Sequence, residues 1–326
     1  MTQVPGMSTE TAPKLWIRKW HILVTTGADT DENGKETALD ISDLHCTFEV
    51  HKGTGKQGNY AECRVYNLNA ATENKLVAEG DRLIIEAGYE SGQYGKIFDG
   101  QIVWPSRSRE NGVDYVLTML AIDGDFLWNG SFISKTVNRG LNSRKIIETV
   151  ANDAEEKTPV AGISENLSEQ ELPRGKVFFG SPYRYLTYAC RGNAASFYVE
   201  DGELNVTKLI DVSEDEALVL SPETGLVGTP EQIQHGVSFK CLMNPNIKLK
   251  TFVQLKNVTA NEATASPGSN APGPLDDEWI YQAEQVTHRG DTRGETWYTE
   301  VQGISRYGKG SLPSLLANAK QNGQGV

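Results

Sequence analysis

The sharpest chemical motif in the sequence is a run of oxygen-bearing side chains with the spacing of a calcium-binding loop. Asp29, Asp31 and Asn33 alternate, Gly34 follows, and Asp40 stands at the twelfth position. Calcium prefers oxygen ligands, and the EF-hand loop places them at alternate positions around a glycine that permits a sharp turn. Strand-like runs flank this loop where an EF-hand has helices, and Asn-Gly is a common hairpin turn. We therefore expect an acidic solvated turn and no metal site.

Other catalytic signatures are missing from the sequence. It has no GxSxG nucleophile elbow, no GxxxxGK[ST] phosphate loop, and no HExxH, HxH or HxxxH spacing among its five His. The four Cys are scattered without a CxxC pair, so we expect small buried side chains, with Cys190 alone more accessible. Carboxylates are plentiful, but no pair stands out as a general acid and base. The sequence thus predicts neither an enzyme nor a bound cofactor.

Two small basic pairs could serve binding instead of catalysis. Arg107 and Arg109 follow one strand-like run, and Arg289 and Arg293 follow another. Both pairs are predicted to lie in the turn of a strand–turn–strand segment. Ordinary solvated turns carry such charges; the functional alternative is a ring of contacts facing an acidic partner. These four arginines are the candidate interface residues.

The overall charge excludes two classes of partner. The chain has 31 Lys and Arg against 43 Asp and Glu, a formal net charge of -12. Proteins that bind the nucleic acid backbone need clustered basic residues, and proteins that bind an anionic membrane surface need them as well.

No run approaches the ~20 apolar residues that cross a bilayer, and the N-terminus lacks the apolar core of a signal peptide. We expect a protein made in a cytoplasm without a membrane anchor.

Hydrophobic alternation with a period of two predicts strands toward both ends of the chain. A short helix is predicted at 69–79, with Asn69 as its N-cap. The predicted strands lie at 16–24, 44–50, 61–65, 82–89, 96–104, 114–122, 237–242, 248–256, 279–288 and 296–304.

The middle of the chain has a different pattern. Residues 143–154 place apolar side chains on one helical stripe, and 181–191 predict a second helix. Asp201-Gly202 between two short apolar runs predicts a hairpin. The pattern therefore predicts an α+β insert between two β-rich sections.

The two β-rich sections echo each other. The segment that begins at Phe98 (FDGQIVW…NGVDYVLTMLAI) and the one that begins at Tyr281 (YQAEQVTHRG…RGETWYTEVQGI) both read as a strand, a polar turn with Arg and Gly, and a second strand. One interpretation is a chance similarity, because any two hairpins share part of this pattern. The alternative is that the chain contains two duplicated β domains. Two similar domains per chain would let a trimer present a pseudo-sixfold ring.

An ordered set of segments resembles the baseplate hub proteins of contractile-tailed bacteriophages, which are related to the late control D group of tail proteins. Most of the resemblance lies in the segment Val65-Tyr66-Asn67-Leu68 and the predicted helix after it. No single motif is specific to the family. The segments are 59–76 (NYAECRVYNLNAATENKL), 80–100 (GDRLIIEAGYESGQYGKIFDG), 120–125 (LAIDGD), 221–230 (SPETGLVGTP) and 287–297 (THRGDTRGETW).

The resemblance implies a mainly β fold with an α+β insert, in which two tail-tube-like antiparallel β-barrel domains flank the inserted lobe. The two barrels are expected at 16–125 and 236–308, with the lobe at 126–235. Composition alone predicts a disordered N-terminus at 1–15, a flexible loop at 259–277, which departs from the family pattern, and a Gly- and Asn-rich tail at 309–326.

The resemblance also implies a structural, non-catalytic role. Such hubs are homotrimers that join the sixfold tail tube to the trimeric spike and line the channel for DNA and tape-measure exit. The implied partners are the tail tube protein, the spike protein, the tape-measure protein and other baseplate proteins, with DNA only as transiting cargo. The implied location is the tail baseplate of a virion that assembles in the host cytoplasm.

Two other functions stay open from the sequence. One is the hub of a related contractile injection system, such as a type VI secretion machine. The other is a carbohydrate-binding or carbohydrate-active β protein, for which the six Trp would supply stacking platforms. Packing in the core is the usual role of Trp in strands, which favours the hub.

Overall fold

A computed structural model describes residues 15–30, 36–54, 58–155, 157–208, 211, 217–233, 236–256, 258 and 278–305. Residues 1–14 of the predicted disordered N-terminus (1–15), the flexible loop at 259–277 and the tail at 309–326 lie outside the described residues.

Strands dominate the first β-rich section, as the hydrophobic alternation predicts. One helix, α1 (Ala70–Glu79), interrupts them, and Asn69 caps it by accepting a hydrogen bond from the backbone N–H of Thr72 at 2.8 Å. The strands are β1 (Arg18–Thr30), β2 (Glu36–Asp40), β3 (Cys46–Gly53), β4 (Tyr60–Tyr66), β5 (Gly80–Tyr89), β6 (Tyr94–Glu110) and β7 (Asp114–Ile122).

Two predicted boundaries in this section are wrong. A polar turn was expected at 29–40, but β1 continues to Thr30 and pairs there with Glu36 of β2. Strand β6 continues to Glu110, because a change of register between Ile102 and Trp104 lets it follow β7 to the hairpin tip.

The middle section mixes short strands and helices. Both predicted helices form, and Asn142 caps the first by accepting from the backbone N–H of Lys145 at 3.0 Å. After a single π-helical turn at Phe126–Gly130, the elements are β8 (Ile133–Val137), α2 (Ser143–Asn152), β9 (Val160–Ile163), β10 (Lys176–Gly180), α3 (Pro182–Gly192), β11 (Ala195–Glu200) and β12 (Glu203–Lys208).

The predicted hairpin of this section joins β11 and β12 antiparallel, with Asp201 and Gly202 at φ 57° and 82°. These positive φ angles are those of a tight hairpin turn. Strand β9 adds to β12 in parallel, a long-range pairing that no local pattern in the sequence predicts.

The last section returns to strands. They are β13 (Leu218–Leu220), β14 (Leu226–Ile233), β15 (Gly236–Leu242), β16 (Phe252–Leu255), β17 (Ile280–Asp291) and β18 (Trp297–Ser305).

The two β-rich sections share one continuous sheet. Its order is β14-β15-β18-β17-β3-β4-β7-β6-β5-β1-β2, with β16 on β17 and β13 on β16. Every pair along that path is antiparallel. In the part of the chain that the structure describes, this path is open, and it does not divide into two closed barrels.

One five-stranded arrangement occurs twice within this sheet. The first module is β3-β4-β7-β6-β5, and the second module is β14-β15-β18-β17-β16. If the strands of each module are numbered in chain order, both modules have the order 1-2-5-4-3 with all pairs antiparallel. The strand pairing thus reproduces the echo that the sequence shows between its two β-rich sections.

The registers of the two modules agree residue by residue. Arg107 of β6 lies opposite Leu117, as His288 of β17 lies opposite Thr299. Both hairpins also change register at the same place, since the skipped residue is Val103 in β6 and Glu284 in β17. A bulge at matching positions is a specific feature of a strand, so the two hairpins are structural equivalents.

Three clusters of buried side chains stabilise the chain. The first draws on residues 22–121, the second on 127–206, and the third on 198–301. Met243 and Trp297 of the last section complete the first cluster. The two β-rich sections are therefore joined through side-chain packing as well as through backbone pairing.

Candidate assembly interface

Arg107 and Arg109 lie on β6 itself, not in the turn where they were expected. The turn begins only after Glu110, because the bulge lengthens the strand. The Arg107 guanidinium is 3.1 Å from a carboxylate oxygen of Glu73 on α1. The Arg109 guanidinium lies over the ring of Tyr115, 4.4 Å from its centroid. Both arginines are exposed, so their charges reach the surface beside β6.

Arg289 connects the two modules. It lies on β17, where it donates to Glu49 of β3 and to Glu300 of β18, both at 2.9 Å. The hydrogen bond with Glu49 is the main reason that the pKa of Arg289 is raised, and partial burial opposes it. A guanidinium between two carboxylates fixes two strands at once, which an isolated surface ion pair rarely does.

Arg293 is the only one of the four candidate arginines that lies in a turn. Its guanidinium donates to the backbone carbonyl of Asp43 at 2.9 Å. The carboxylate of Asp291 accepts from the backbone N–H groups of Arg293 and Gly294, at 2.9 and 2.7 Å. Arg293 therefore holds the β17–β18 turn against the loop before β3. Each of the four arginines has a partner within the chain.

Large apolar side chains are exposed around the β6–β7 hairpin. Val103 is 40% exposed, Trp104 68%, Val113 76% and Tyr115 51%. Core packing is the expected role of a strand Trp, and Trp104 does not follow it because the bulge at Val103 turns it to the other face of the sheet. These exposed side chains lie at two places on the hairpin, Val103 and Trp104 at the bulge and Val113 and Tyr115 near the tip.

One strand edge borders the β6–β7 hairpin, and another strand lies at an end of the sheet path. Strand β5 accompanies β6 only as far as Gln101; among the described residues, the β6 edge (residues 104–110) pairs on one side only, with β7. Among the strands that the structure describes, β14 stands at one end of the sheet path and pairs with β15. Exposed strand edges are templates for further pairing.

A buried ion pair holds the middle section against the first module. The Lys52 ammonium of β3 is 2.9 Å from a carboxylate oxygen of Glu200 on β11, and the two side chains are 2% and 8% exposed. Beside them, the Asn59 amide donates to the backbone carbonyl of Val199 at 2.7 Å.

Asp123 completes this junction from the end of β7. Its carboxylate accepts from the backbone N–H groups of Asp201 and Gly202, at 2.7 and 2.9 Å. Burial raises its pKa to about 7, although the bond from Gly202 and the charge of Lys52 oppose the rise. Asp123 thus fixes the β11–β12 turn and has a structural role.

His288 of β17 is buried at the same junction. Its ring nitrogen Nδ1 lies 2.9 Å from the hydroxyl of Thr299, and burial together with the charge of Lys52 lowers its pKa to about 3. The folded chain keeps His288 neutral, whereas the unfolded chain protonates it below about pH 6.5. Protons then bind the unfolded state preferentially, so stability falls as the pH falls from about 6.5 toward 3.

We predict that His288→Gln weakens this acid dependence, because glutamine has no charge to gain. Between pH 7.5 and 5, the wild-type free energy of unfolding should fall by about 2 kcal/mol more than that of the variant, at about 1.4 kcal/mol per pH unit below 6.5. Denaturant titrations at several pH values measure this. The control is His21→Gln, which changes a half-exposed side chain and should retain the wild-type slope; equal slopes for all three chains would contradict the prediction.

Asp29 and Asp40, the two described ends of the calcium-like motif, lie far apart along the β1–β2 pair. Asp40 lies opposite Leu23 of β1, six residues before Asp29, and six residues of strand span about 20 Å. The Asp40 carboxylate instead accepts from the backbone N–H of Ser42 at 2.9 Å. Asp31 and Asn33 lie outside the described residues. Among the residues described, no group of three or more His, Cys, Asp or Glu could hold a metal ion.

The cysteines are all buried, and the expectation that Cys190 is more accessible is wrong. Cys190 lies on the inner face of α3, and burial raises its pKa to about 12. Cys241 behaves in the same way. These thiols are small core side chains.

The fold defines a class of protein. Similar solved structures include the 43 kDa tail protein of prophage MuSo2 from Shewanella oneidensis, with 8% identity, a TM-score of 0.53, and 90% of this chain matched to 98% of that one. A tail protein from Neisseria meningitidis MC58 has 11% identity and a TM-score of 0.54, with 89% and 98% covered. The Escherichia coli c3393 protein, a component of the type VI secretion system, has 10% identity and a TM-score of 0.51, with 83% and 76% covered. At these identities the likeness shows a shared tail-protein fold.

The family follows from the sequence match. The model of the family described as Baseplate hub gp41 matches residues 29–264, well over half of the chain, and the chain belongs to that family. Membership of this family supports a baseplate hub-like structural role, as the resemblance implied. No curated protein matches the chain. Within the described residues, no helix is long and apolar enough to cross a membrane.

Proposed function

We propose that three copies of this chain form the hub ring of a phage baseplate and adapt the sixfold symmetry of the tail tube to the threefold symmetry of the spike. The observation that supports this role is the five-stranded module, which occurs twice with matching registers and a matching bulge. Two equivalent modules per chain let three chains present six similar surfaces to a sixfold partner. In this proposal the two modules, which are parts of one open sheet among the described residues, take the place of the two tail-tube-like barrels that the resemblance implies.

The repeat also suggests a different division of the chain. The boundaries from the sequence give 16–125 to the first barrel, 126–235 to the α+β lobe and 236–308 to the second barrel. Strand β14 belongs to the second module by its pairing with β15. We therefore propose that the lobe ends before Leu218 and that the second barrel begins there.

The proposed partners follow from the position of such a ring. One face meets the tail tube protein and the other meets the spike protein, with other baseplate proteins around them. The tape-measure protein and DNA pass through the central channel during ejection. A net charge of -12 suits DNA as a passenger, since an acidic wall repels phosphate. Assembly takes place in the host cytoplasm, before the virion is released.

The mass of the purified chain tests this proposal. Light scattering should give about 107 kDa, three times the chain mass of 35.8 kDa. Purified virions should contain one copy of the chain for every two tube subunits of one ring. A chain that stays monomeric at micromolar concentration, or one that occurs in six copies per tail, would overturn the trimeric adaptor.

A second candidate is the equivalent hub of a contractile injection system that is not a phage. The similarity to the Escherichia coli type VI secretion component favours it at the level of fold. Purification of particles from producing cells separates the two functions. A phage hub is recovered in particles that contain DNA, whereas an injection-system hub is recovered in particles that contain none.

A further inference from the structure

An apolar groove lies between the first module and the middle section. Tyr60 of β4 and Leu120 and Ile122 of β7 form one wall, and Trp128 and Tyr183 of the middle section form the other. Its volume is about 520 Å³, within the range of about 300–1,000 Å³ that is typical of ligand sites. The groove is therefore large enough to hold several apolar side chains.

Trp128 is fixed in its wall of the groove. Its ring stacks on Phe197 with the centroids 5.7 Å apart, and it lies 4.9 Å from the ring of Tyr183. Its ring nitrogen donates to the backbone carbonyl of Asp123 at 3.2 Å. Gly58 lies directly against the indole, since a Cβ atom at that position would come within 2.7 Å of the ring nitrogen. These contacts hold the indole in place, so this wall is preformed.

The groove offers few polar groups to a ligand. Apart from two tyrosine hydroxyls, it has the amide of Asn129, which already donates to Asp125 at 2.8 Å. No carboxylate is among the described residues that line it. A sugar would give up hydrogen bonds to water here without regaining them, whereas an apolar peptide segment loses little. The groove therefore fits an apolar segment better than a carbohydrate.

The sequence after β18 contains a segment of matching character, residues 311–320 (SLPSLLANAK). Ser311 is a favoured N-cap, and Pro313 falls in the first turn, where proline is tolerated. The apolar side chains recur with the i, i+3, i+4, i+7 spacing of one helix face: Leu312, Leu315, Leu316 and Ala319. The sequence thus predicts a helix whose single apolar face needs a surface to cover it.

We propose that residues 311–320 form a helix that lies in the apolar groove of the same chain, with its leucines between the two walls. An amphipathic helix in a hydrophobic groove is a common mode of peptide recognition. The groove lies on the half-buried face of β4 and β7, whereas Lys52 lies on the buried face of β3. The helix and the Lys52–Glu200 ion pair would then hold the middle section from opposite faces of the sheet.

The end of β18 brings this segment within reach of the groove. Ser305 lies opposite Tyr281, six residues before Thr287 on β17, and Thr287 is level with Tyr60 across β3. Three strand spacings of about 4.8 Å and six residues of about 3.3 Å separate Ser305 from Tyr60, or about 24 Å over the sheet. Seven extended steps from Ser305 to the first leucine also cover about 24 Å. The segment therefore reaches the near wall without stretching the chain further.

A cross-link within one chain tests this docking. The double variant Asn129→Cys/Ala319→Cys places one thiol on the exposed rim of the groove and one on the apolar face of the segment. The native cysteines are all buried, so they do not compete. A short bismaleimide should join the two thiols within single chains, and mass spectrometry of the digested protein should identify the joined peptides.

The matched control for the cross-link is Val113→Cys/Ala319→Cys. Val113 is 76% exposed and lies nine residues before Ile122, so it is about 30 Å from the groove along β7. Its yield of cross-linked single chains should be at least tenfold lower. Equal yields from the two double variants, or products that join only separate chains on a denaturing gel, would overturn the proposal.

Hydroxyl-radical footprinting of the chain gives an independent readout. In Leu315→Asp/Leu316→Asp the segment should leave the groove, and the oxidation rates of Trp128 and Tyr183 should rise at least threefold. The control is Ser314→Asp/Asn318→Asp, which adds the same charges to the opposite helix face and should leave both rates unchanged. Equal rates in the wild type and both variants would show that the segment does not cover the groove, and the proposal would be wrong.

The docking and the proposed trimer fail separately. Both readouts report on contacts within one chain, so they apply to a monomer as well as to a ring. A monomer in light scattering with the expected cross-link would overturn the trimer and support the docked helix. A trimer without the cross-link would overturn the docked helix alone.

Discussion

Replacing Trp297 by alanine will lower the free energy of unfolding by about 3–5 kcal/mol. The indole is 1% exposed and packs edge-on against Trp20 and Phe48, with ring centroids 5.9 and 5.5 Å apart. Its ring nitrogen donates to the backbone carbonyl of Gly88 at 3.3 Å. The truncation therefore opens a large cavity and leaves that carbonyl without its donor. A domain has only about 5–15 kcal/mol of stability, so the loss is a large fraction of the total.

The position of Trp297 makes this loss affect both modules. It belongs to β18 of the second module, yet it lies in the core cluster of the first. Denaturant unfolding should therefore show one earlier transition for both β-rich sections. The control is Trp16→Ala, which removes the same side chain from a site that is 74% exposed and should change stability by less than about 0.5 kcal/mol. Equal midpoints for Trp297→Ala and the wild type would contradict the packing described here.

Local patterns predict the elements of this fold well where one face of a strand is buried. In β3, Cys46, Phe48 and Val50 alternate with half-exposed neighbours, which is the period that the sequence shows. The capping residues Asn69 and Asn142 likewise act through hydrogen bonds to nearby backbone groups. These features depend on a few adjacent residues, so a single sequence contains the information that fixes them.

Features that depend on distant partners are not predictable in this way. The bulge at Val103 sets the length of β6 and exposes Trp104, but it is visible only once β6 is aligned with β7. The pairing of β17 with β3 joins residues more than 230 positions apart. A possible sequence signal for the bulge was Pro105, because proline in a strand often accompanies an edge or a bulge.

The candidate site was likewise predictable only in its local features. The four arginines were identified by type and by their place in the echoed hairpins, but the sequence could not say which partner each of them has within the chain. Arg289 is engaged between two carboxylates at the junction of modules. The sequence contains the charges but not the long-range pairing of β17 with β3 that brings Arg289 to Glu49.

Removing the Lys52 cation, which is buried where β3 meets β11, should lower the free energy of unfolding as much as the truncation of Trp297 does. We predict that Lys52→Met lowers the free energy of unfolding by about 3–5 kcal/mol, because Glu200 then stays buried without its partner. The Lys52 charge also acts to lower the pKa of Asp123, so the variant removes that favourable interaction as well. Thermal or denaturant unfolding measures the loss. The matched control is Lys240→Met, which breaks a half-exposed pair with Glu300 and should cost no more than about 1 kcal/mol.

A double variant separates the ion pair from the packing around it. Glu200→Gln alone should cost less than Lys52→Met, since the remaining ammonium keeps the nearby carboxylate of Asp123. In Lys52→Met/Glu200→Gln no unpaired charge is left at the former pair, and most of the lost stability should return. If the double variant is as unstable as the sum of the single variants, the two side chains do not act as a pair. The contact between β3 and β11 would then depend on the Asn59 and Asp123 hydrogen bonds alone.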